Sequence, residues 1–237
     1  MKSRSLRLPL VAALAMLLVI PFSAKSSTIF WGSLNNDFLY DSNGAPLNSD
    51  FVFEVGIFDT TGGWTPTSAN MSEWAGRWML FDRAATGSGW NANDQLVEST
   101  VDHTITGGSS APEANATHVF PQGAQAYLWV YDTQDFIQGA EWALVADFNK
   151  ATNIFGLGWE FPNPAEQSGE SYDWQTRDLD TAIFGGVNNV QGAGTFSVNP
   201  GIFTIQTHVV PEPGSALLLL AAGSGLLRRR RQQAQSF

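Results

Sequence analysis

Cysteine is absent from the 237 residues, which excludes disulfides, thiolate metal sites and a cysteine nucleophile. Any folded domain must therefore stand on its core alone. Positive charge is almost as scarce where it would matter. Between Ser26 and Val210 only Arg77, Arg83, Lys150 and Arg177 are basic, against 21 acids, a formal balance of −17. Such a surface repels polyanions, so nucleic acid is not an expected partner. Only three histidines occur, His103, His118 and His208, with no HxH or HExxH spacing. A GxSxG elbow before a helix, a Walker loop and a GxGxxG after a strand are also missing. No cofactor is implied, and no residue stands out as catalytic. Acid pairs such as Asp178 and Asp180 could hold a cation, but without the glycine-punctuated loop of an EF-hand. Asp41 to Gly44, DSNG, opens like such a loop, lacks the bidentate Glu in register, and reads as a turn.

What the chain does have is concentrated at its ends. Lys2, Arg4 and Arg7 precede an apolar run over residues 8–20, followed by small residues, the three-part layout of a secretory signal peptide. A cut after Ser26 leaves Ala24 and Ser26 in the small-residue positions, whereas a cut after Ala24 puts bulky Phe22 at the outer one. The former is preferred, giving a signal peptide over residues 1–26. The run is short for a membrane span and Pro21 would break its helix, which argues against an uncleaved anchor.

At the other end, residues 209–227 carry no basic side chain, and the continuously apolar part covers 214–227. Length alone would also suit a buried helix, since about 20 residues are usual for a full span. Arg228, Arg229, Arg230 and Arg231 follow directly, and four arginines are natural as a stop-transfer cluster on the cytoplasmic side. A transmembrane helix over 214–227 is expected, entered through the extended Pro211 and Pro213.

Val-Pro-Glu-Pro, a short Leu/Ala/Gly helix and an arginine cluster, in that order behind a signal peptide, resemble the PEP-CTERM sorting signal, here residues 209–231. The resemblance implies a Gram-negative-type bacterium and an exosortase, a membrane protease acting at or near the motif formed by Pro211, Glu212 and Pro213. It further implies export, anchoring in the inner membrane before processing, and then the cell surface or matrix of a cell making extracellular polysaccharide.

The intervening residues 27–208 read as a mainly β domain. In FVFEVGIF, Phe51, Phe53, Val55 and Ile57 share one face. AYLWVYD sets Tyr127, Trp129 and Tyr131 against Leu128 and Val130, and EWALVADF aligns Trp142, Leu144, Ala146 and Phe148. IFGLGWEF, GIFTIQTHVV and DFLYDSNGAPL also read as strands, the last entering a turn at Asn43-Gly44. Short strands between turn signals predict an antiparallel β-sandwich or jelly-roll-like domain. One short helix is expected over residues 71–83, where Met71, Trp74, Trp78 and Phe81 recur every three or four positions and Asn70 with Glu73 suggests a capping box. It is expected to cover an open end of the sandwich.

Nine tryptophans are the remaining clue to function. Trp129 and Trp142 lie in strand patterns and belong to the core. Trp64 in TTGGWTPT and Trp90 in GSGWNAND sit in loop-like sequence. There an indole either stands exposed and can stack on a sugar ring, or caps the core from a loop. Two functions follow: a non-enzymatic surface or matrix protein associated with polysaccharide, or a secreted polysaccharide hydrolase whose acid and base the sequence does not single out.

Overall fold

The computed structural model describes residues 26–149, 158–163 and 169–212. The chain is mainly β. In order, its strands are β1 (Ser26–Gly32), β2 (Leu39–Tyr40), β3 (Val52–Phe58), β4 (Trp78–Thr86), β5 (Gly89–Asn91), β6 (Leu96–Thr104) and β7 (Tyr127–Tyr131). They continue as β8 (Glu141–Ala146), β9 (Ser171–Gln175), β10 (Thr181–Phe184), β11 (Gly186–Val187), β12 (Val190–Gln191), β13 (Ile205–Gln206) and β14 (His208–Val209). Among the described residues, the larger sheet runs β10-β8-β7-β3-β4-β5-β6-β1-β9, with β14 added on β8, and a smaller one runs β12-β11-β13-β2. Most pairs are antiparallel, but β1 with β9, β4 with β5, and β13 with β2 are parallel. The sheets are thus mixed, where a purely antiparallel arrangement was expected.

The large sheet curls around a principal core. Ile29 and Trp31 from β1, Val97 and Val101 from β6, and Tyr172 and Trp174 from β9 share it with Phe53, Val55 and Ile57 of β3, Leu128 and Val130 of β7, and Val145 of β8. The expected alternation holds in β3, β7 and β8, but the opposite faces of these strands are buried as well. Trp129, Tyr131, Trp142 and Leu144 join Phe58, Met71, Trp74, Phe184 and Val210 in a second core on the far side of the same sheet. Tryptophans edge-on and stacked fill it: Trp74 lies 5.7 Å from Trp142 and 6.0 Å from Trp129.

The cover of this second core is the region where a helix was expected over 71–83. Only a 3₁₀ turn, Met71–Glu73, and one α-helical turn, α1 (Trp74–Arg77), form; from Trp78 the chain is strand β4. The tertiary ladder overrides the helical spacing, because β4 pairs with β3. The register slips between Val55 and Gly56, leaving Phe81 as the extra residue. The expected capping box is also absent: Asn70 Oδ1 instead accepts the Thr67 amide and the Trp74 indole N–H. The helical segment covers the outer face of the sheet rather than an open end of a sandwich. Gly56 makes the fit possible, since a Cβ there would lie 2.7 Å from the Trp78 ring and 2.4 Å from the Met79 carbonyl.

The Asn43-Gly44 turn is present as read, with Asp41 Oδ1 accepting the amides of Asn43 and Ala45. GIFTIQTHVV forms two short strands, β13 and β14. IFGLGWEF falls partly outside the described residues, and its remainder forms no named strand but pairs with residues 123–126 through backbone hydrogen bonds of Trp159 and Phe161 and a bridge from Glu160 to Gln125. The signal peptide up to residue 25, Pro213, the apolar run 214–227 and Arg228, Arg229, Arg230 and Arg231 lie outside the described residues. Among the residues described, no helix is long and apolar enough to cross a membrane.

Candidate functional site

The indoles singled out from sequence are engaged by the fold. Trp90 belongs to β5 and is 4% exposed, with its ring 4.8 Å from Phe53 and its N–H donated to the Asn48 carbonyl. The loop-like sequence GSGWNAND hid a strand whose Trp faces inward, so an exposed Trp90 available to a sugar is corrected to a core residue. Trp64 is half-buried. Its ring packs 5.4 Å from Phe58 and carries the Arg77 guanidinium 4.9 Å above it, while its N–H donates to Glu73. Here the indole caps the second core, as the alternative reading had it.

Two of the three histidines, His103 and His208, and the acid pair are likewise occupied by the fold. Burial pushes the pKa of His103 and His208 down, and each ring meets a backbone carbonyl, Phe120 for the first and Ala193 for the second. Asp178 accepts the Gln175 amide, and Asp180 accepts the Phe148 amide and the Thr181 hydroxyl. No group of three or more His, Asp or Glu poised to hold a metal occurs among the described residues.

A different face is open. In β1, SSTIFWG, the residues Ser27, Ile29 and Trp31 point to the core, so Thr28, Phe30 and Gly32 point outward. The register brings three rows together across β6, β1 and β9: Asp102, Thr28 and Ser171; Thr100, Phe30 and Asp173; Glu98, Gly32 and Gln175. Strand spacing of about 4.8 Å and a rise of about 3.3 Å per residue spread these side chains over about 10 by 13 Å, the reach of a short oligosaccharide, with Phe30 at the centre. Phe30 is 44% exposed and is the single aromatic in these three rows, where every other side chain is polar. Beside it, Gly32 leaves a slot; a Cβ there would stand 2.2 Å from the Val97 carbonyl, so the position takes no side chain without moving β6. Phe30, Gly32, Leu34, Glu98, Thr100 and Asp173 belong to the lining of a groove of about 560 Å³.

The floor of this groove is built to stay still. Trp31 lies under it, its N–H donated to Asp82 at 2.7 Å, and burial raises the pKa of that carboxyl. Ser33 closes the end of β1 on Val97 through its amide and its Oγ, which accepts the Val97 N–H. Asp37 holds the rim: it accepts the Leu34 amide, the Thr176 hydroxyl and the Arg177 guanidinium, tying the loop after β1 to the turn after β9. On the face itself, Thr28 donates to Asp102 and Gln175 donates to Asp173 Oδ2. Glu98 has no hydrogen-bond or ion-pair partner among the described residues. A rigid ledge with one open aromatic, hydroxyls, an amide and carboxylates can stack an apolar ring face and hydrogen-bond its edge.

No protein-family model, curated protein or solved structure matches this chain.

At the C-terminal end, the fold runs two residues past the expected boundary at 208. Val209 pairs with Glu141, and Val210, fully buried, donates its amide to the Ala140 carbonyl. Pro211 and Glu212 then emerge exposed, with Glu212 accepting from the Gln138 amide.

Proposed function

We propose that this is an exported protein of a bacterial cell surface or extracellular matrix that binds polysaccharide through the groove around Phe30. Delivery rests on the sequence of the two ends: a signal peptide in front, and behind it a PEP-CTERM-like signal for an exosortase, with the inner membrane as the station before processing. The finer architecture is read as sandwich-like, the two halves of the curled sheet enclosing the principal core. Binding by the domain rests on one observation above the others, the exposed Phe30 set among hydroxyl, amide and carboxylate side chains beside the Gly32 slot. Apolar CH faces of a pyranose suit the ring, and its hydroxyls suit the neighbours. Binding is favoured over hydrolysis because the groove offers a stacking ring and hydrogen-bonding side chains, which is what recognition requires, whereas hydrolysis needs in addition a positioned acid and base.

The test is Phe30→Ala in the full chain, titrated with neutral hexasaccharides and with polysaccharide recovered from the producing cells. An exposed ring gives up little on truncation, so the unfolding free energy should stay within about 0.5 kcal/mol of wild type, as is usual for surface changes. Affinity should fall about tenfold or more, as the loss of one stacked aromatic contact implies. Unchanged affinity would remove the groove as the site.

A further inference from the structure

The polysaccharide reading leaves the class of sugar open, and the charges around Phe30 narrow it. All three described cations are already spoken for: Arg77 by Glu73, Arg83 by Glu54, and Arg177 by Asp37. None lines the groove, whereas Glu98 and Asp173 stand on opposite sides of β1, one row apart, and Asp102 lies one row beyond Phe30. A uronate, sulfate or phosphate placed on Phe30 would meet these carboxylates with no basic side chain to receive it, and like charges at that range repel. Glu98 is the telling residue. It has no partner among the described residues, yet it borders the slot at Gly32, where a substituent of a stacked ring could reach it. Asp173 keeps Oδ1 open beside Phe30, since Gln175 takes only Oδ2. Two carboxylates with acceptor capacity to spare call for N–H donors that carry positive charge.

Building on the polysaccharide reading, we infer that the groove selects an amine-bearing glycan, a polymer of free hexosamine units whose ammonium groups pair with Glu98 and Asp173 while a ring stacks on Phe30. Solvent-exposed ion pairs contribute modestly, so two of them give a preference of about three- to tenfold over the neutral counterpart, decreasing with salt.

The experiment uses the full chain in detergent and four probes by calorimetry: a glucosamine hexamer, its fully N-acetylated form, a cellulose hexamer and an oligogalacturonate. Titrations run at about pH 6, where a sugar amine, acidified by its neighbouring oxygens to roughly the range of an α-amino group, is mostly charged, and at about pH 9, where it is mostly neutral. The glucosamine hexamer should bind tightest at the lower pH and lose its advantage at the higher, and the oligogalacturonate should bind least. Glu98→Gln with Asp173→Asn should abolish the preference while leaving neutral hexamers bound. Asp50→Asn with Asp135→Asn, which removes two exposed acids away from the groove, should preserve it. Equal affinity for amine-bearing and neutral hexamers would overturn the inference and leave polysaccharide binding intact. Binding of none of the four would overturn both. A preference that survives the groove substitutions, or falls equally with the remote pair, would assign it to the overall charge of the domain and overturn the inference.

Discussion

Trp74 is the residue on which the second core should depend. It sits on α1, fully buried, stacked at 5.7 Å on Trp142 and edge-on to Trp129, Phe58 and Phe184, and its N–H is donated to Asn70 at 3.0 Å. The segment that carries it has only seven helical residues and no side-chain cap at its start, so it cannot hold itself. Packing holds it, and Trp74 is the largest side chain that the segment itself buries. Trp74→Ala removes the indole and leaves a cavity that the surrounding rings cannot fill, a loss of about 3–5 kcal/mol. For a domain of this size each kcal/mol moves the melting temperature by about 2–4 °C, so a drop of about 10 °C is expected. Trp74→Phe keeps most of the apolar body and gives up the bond to Asn70, costing about 1–2 kcal/mol. Near-ultraviolet dichroism, dominated by these stacked indoles, should collapse in the alanine variant, and a dye for exposed apolar surface should bind it at temperatures where the wild type excludes the dye. Should Trp74→Ala cost less than about 1 kcal/mol, the helical turn would be an ornament on the sheet and the second core would not exist as described.

Asp147 is buried and pushed up to about 6 by burial, with the charges of Asp180 and Asp178 adding to it. A carboxyl raised in the fold binds its proton more tightly there than when unfolded, so its cost is absent below about pH 4 and complete above about pH 6. Asp147→Asn should therefore unfold at higher urea than wild type at pH 8, by about 1–2 kcal/mol after allowance for screening, and match it at pH 4; the same gain at both pH values would refute the titration argument. On the export proposal, the mature N-terminus should be Lys25 rather than Ser27: Ser27 is fully buried in β1 and Ser26 accepts the Gly169 amide, so a cut after Ser26 would bury an α-ammonium. Mass spectrometry of the exported protein decides it, and a Ser27 terminus would show that the strand begins later. Changing Pro211, Glu212 and Pro213 together to alanine should leave export intact and hold the full-length protein in the inner membrane; normal shortening of that variant would refute the sorting proposal.

Much of this architecture was legible because strands declare themselves by alternation. Phe53, Val55 and Ile57 share the principal core as their spacing says, and Trp129 and Trp142 are core residues. Alternation could not say that the second face of β7 and β8 would also be covered, because what covers it arrives from elsewhere: α1, β10 and Val210. The helix over 71–83 was overread for a definite reason. A bulge at Phe81 lets Phe81 and Asp82 both reach the principal core side, Asp82 to bond Trp31, and this breaks the strand pattern just where helical spacing seemed to continue. Trp64 and Trp90 drew notice because glycines flank them, yet glycine marks a turn and does not say on which side of it an indole falls.

Phe30 left a readable signal. In SSTIFWG, Ile29 and Trp31 occupy one face, so the phenylalanine between them must take the face of Thr28 and Gly32, where an apolar ring has no core to join. A large aromatic on the polar side of an alternating strand is worth more than a tryptophan in a loop, because the sheet fixes where it points. What the strand alone withheld was its company. Glu98, Thr100 and Asp173 come from β6 and β9, up to 143 residues away in sequence, and only the register on β1 sets them around one ring. The same holds at the other end of the domain, where Val210 is locked on Ala140 and the exposed Pro211 follows at once. Local pattern marks which residues are out of place; pairing across the sheet decides what they are in place for.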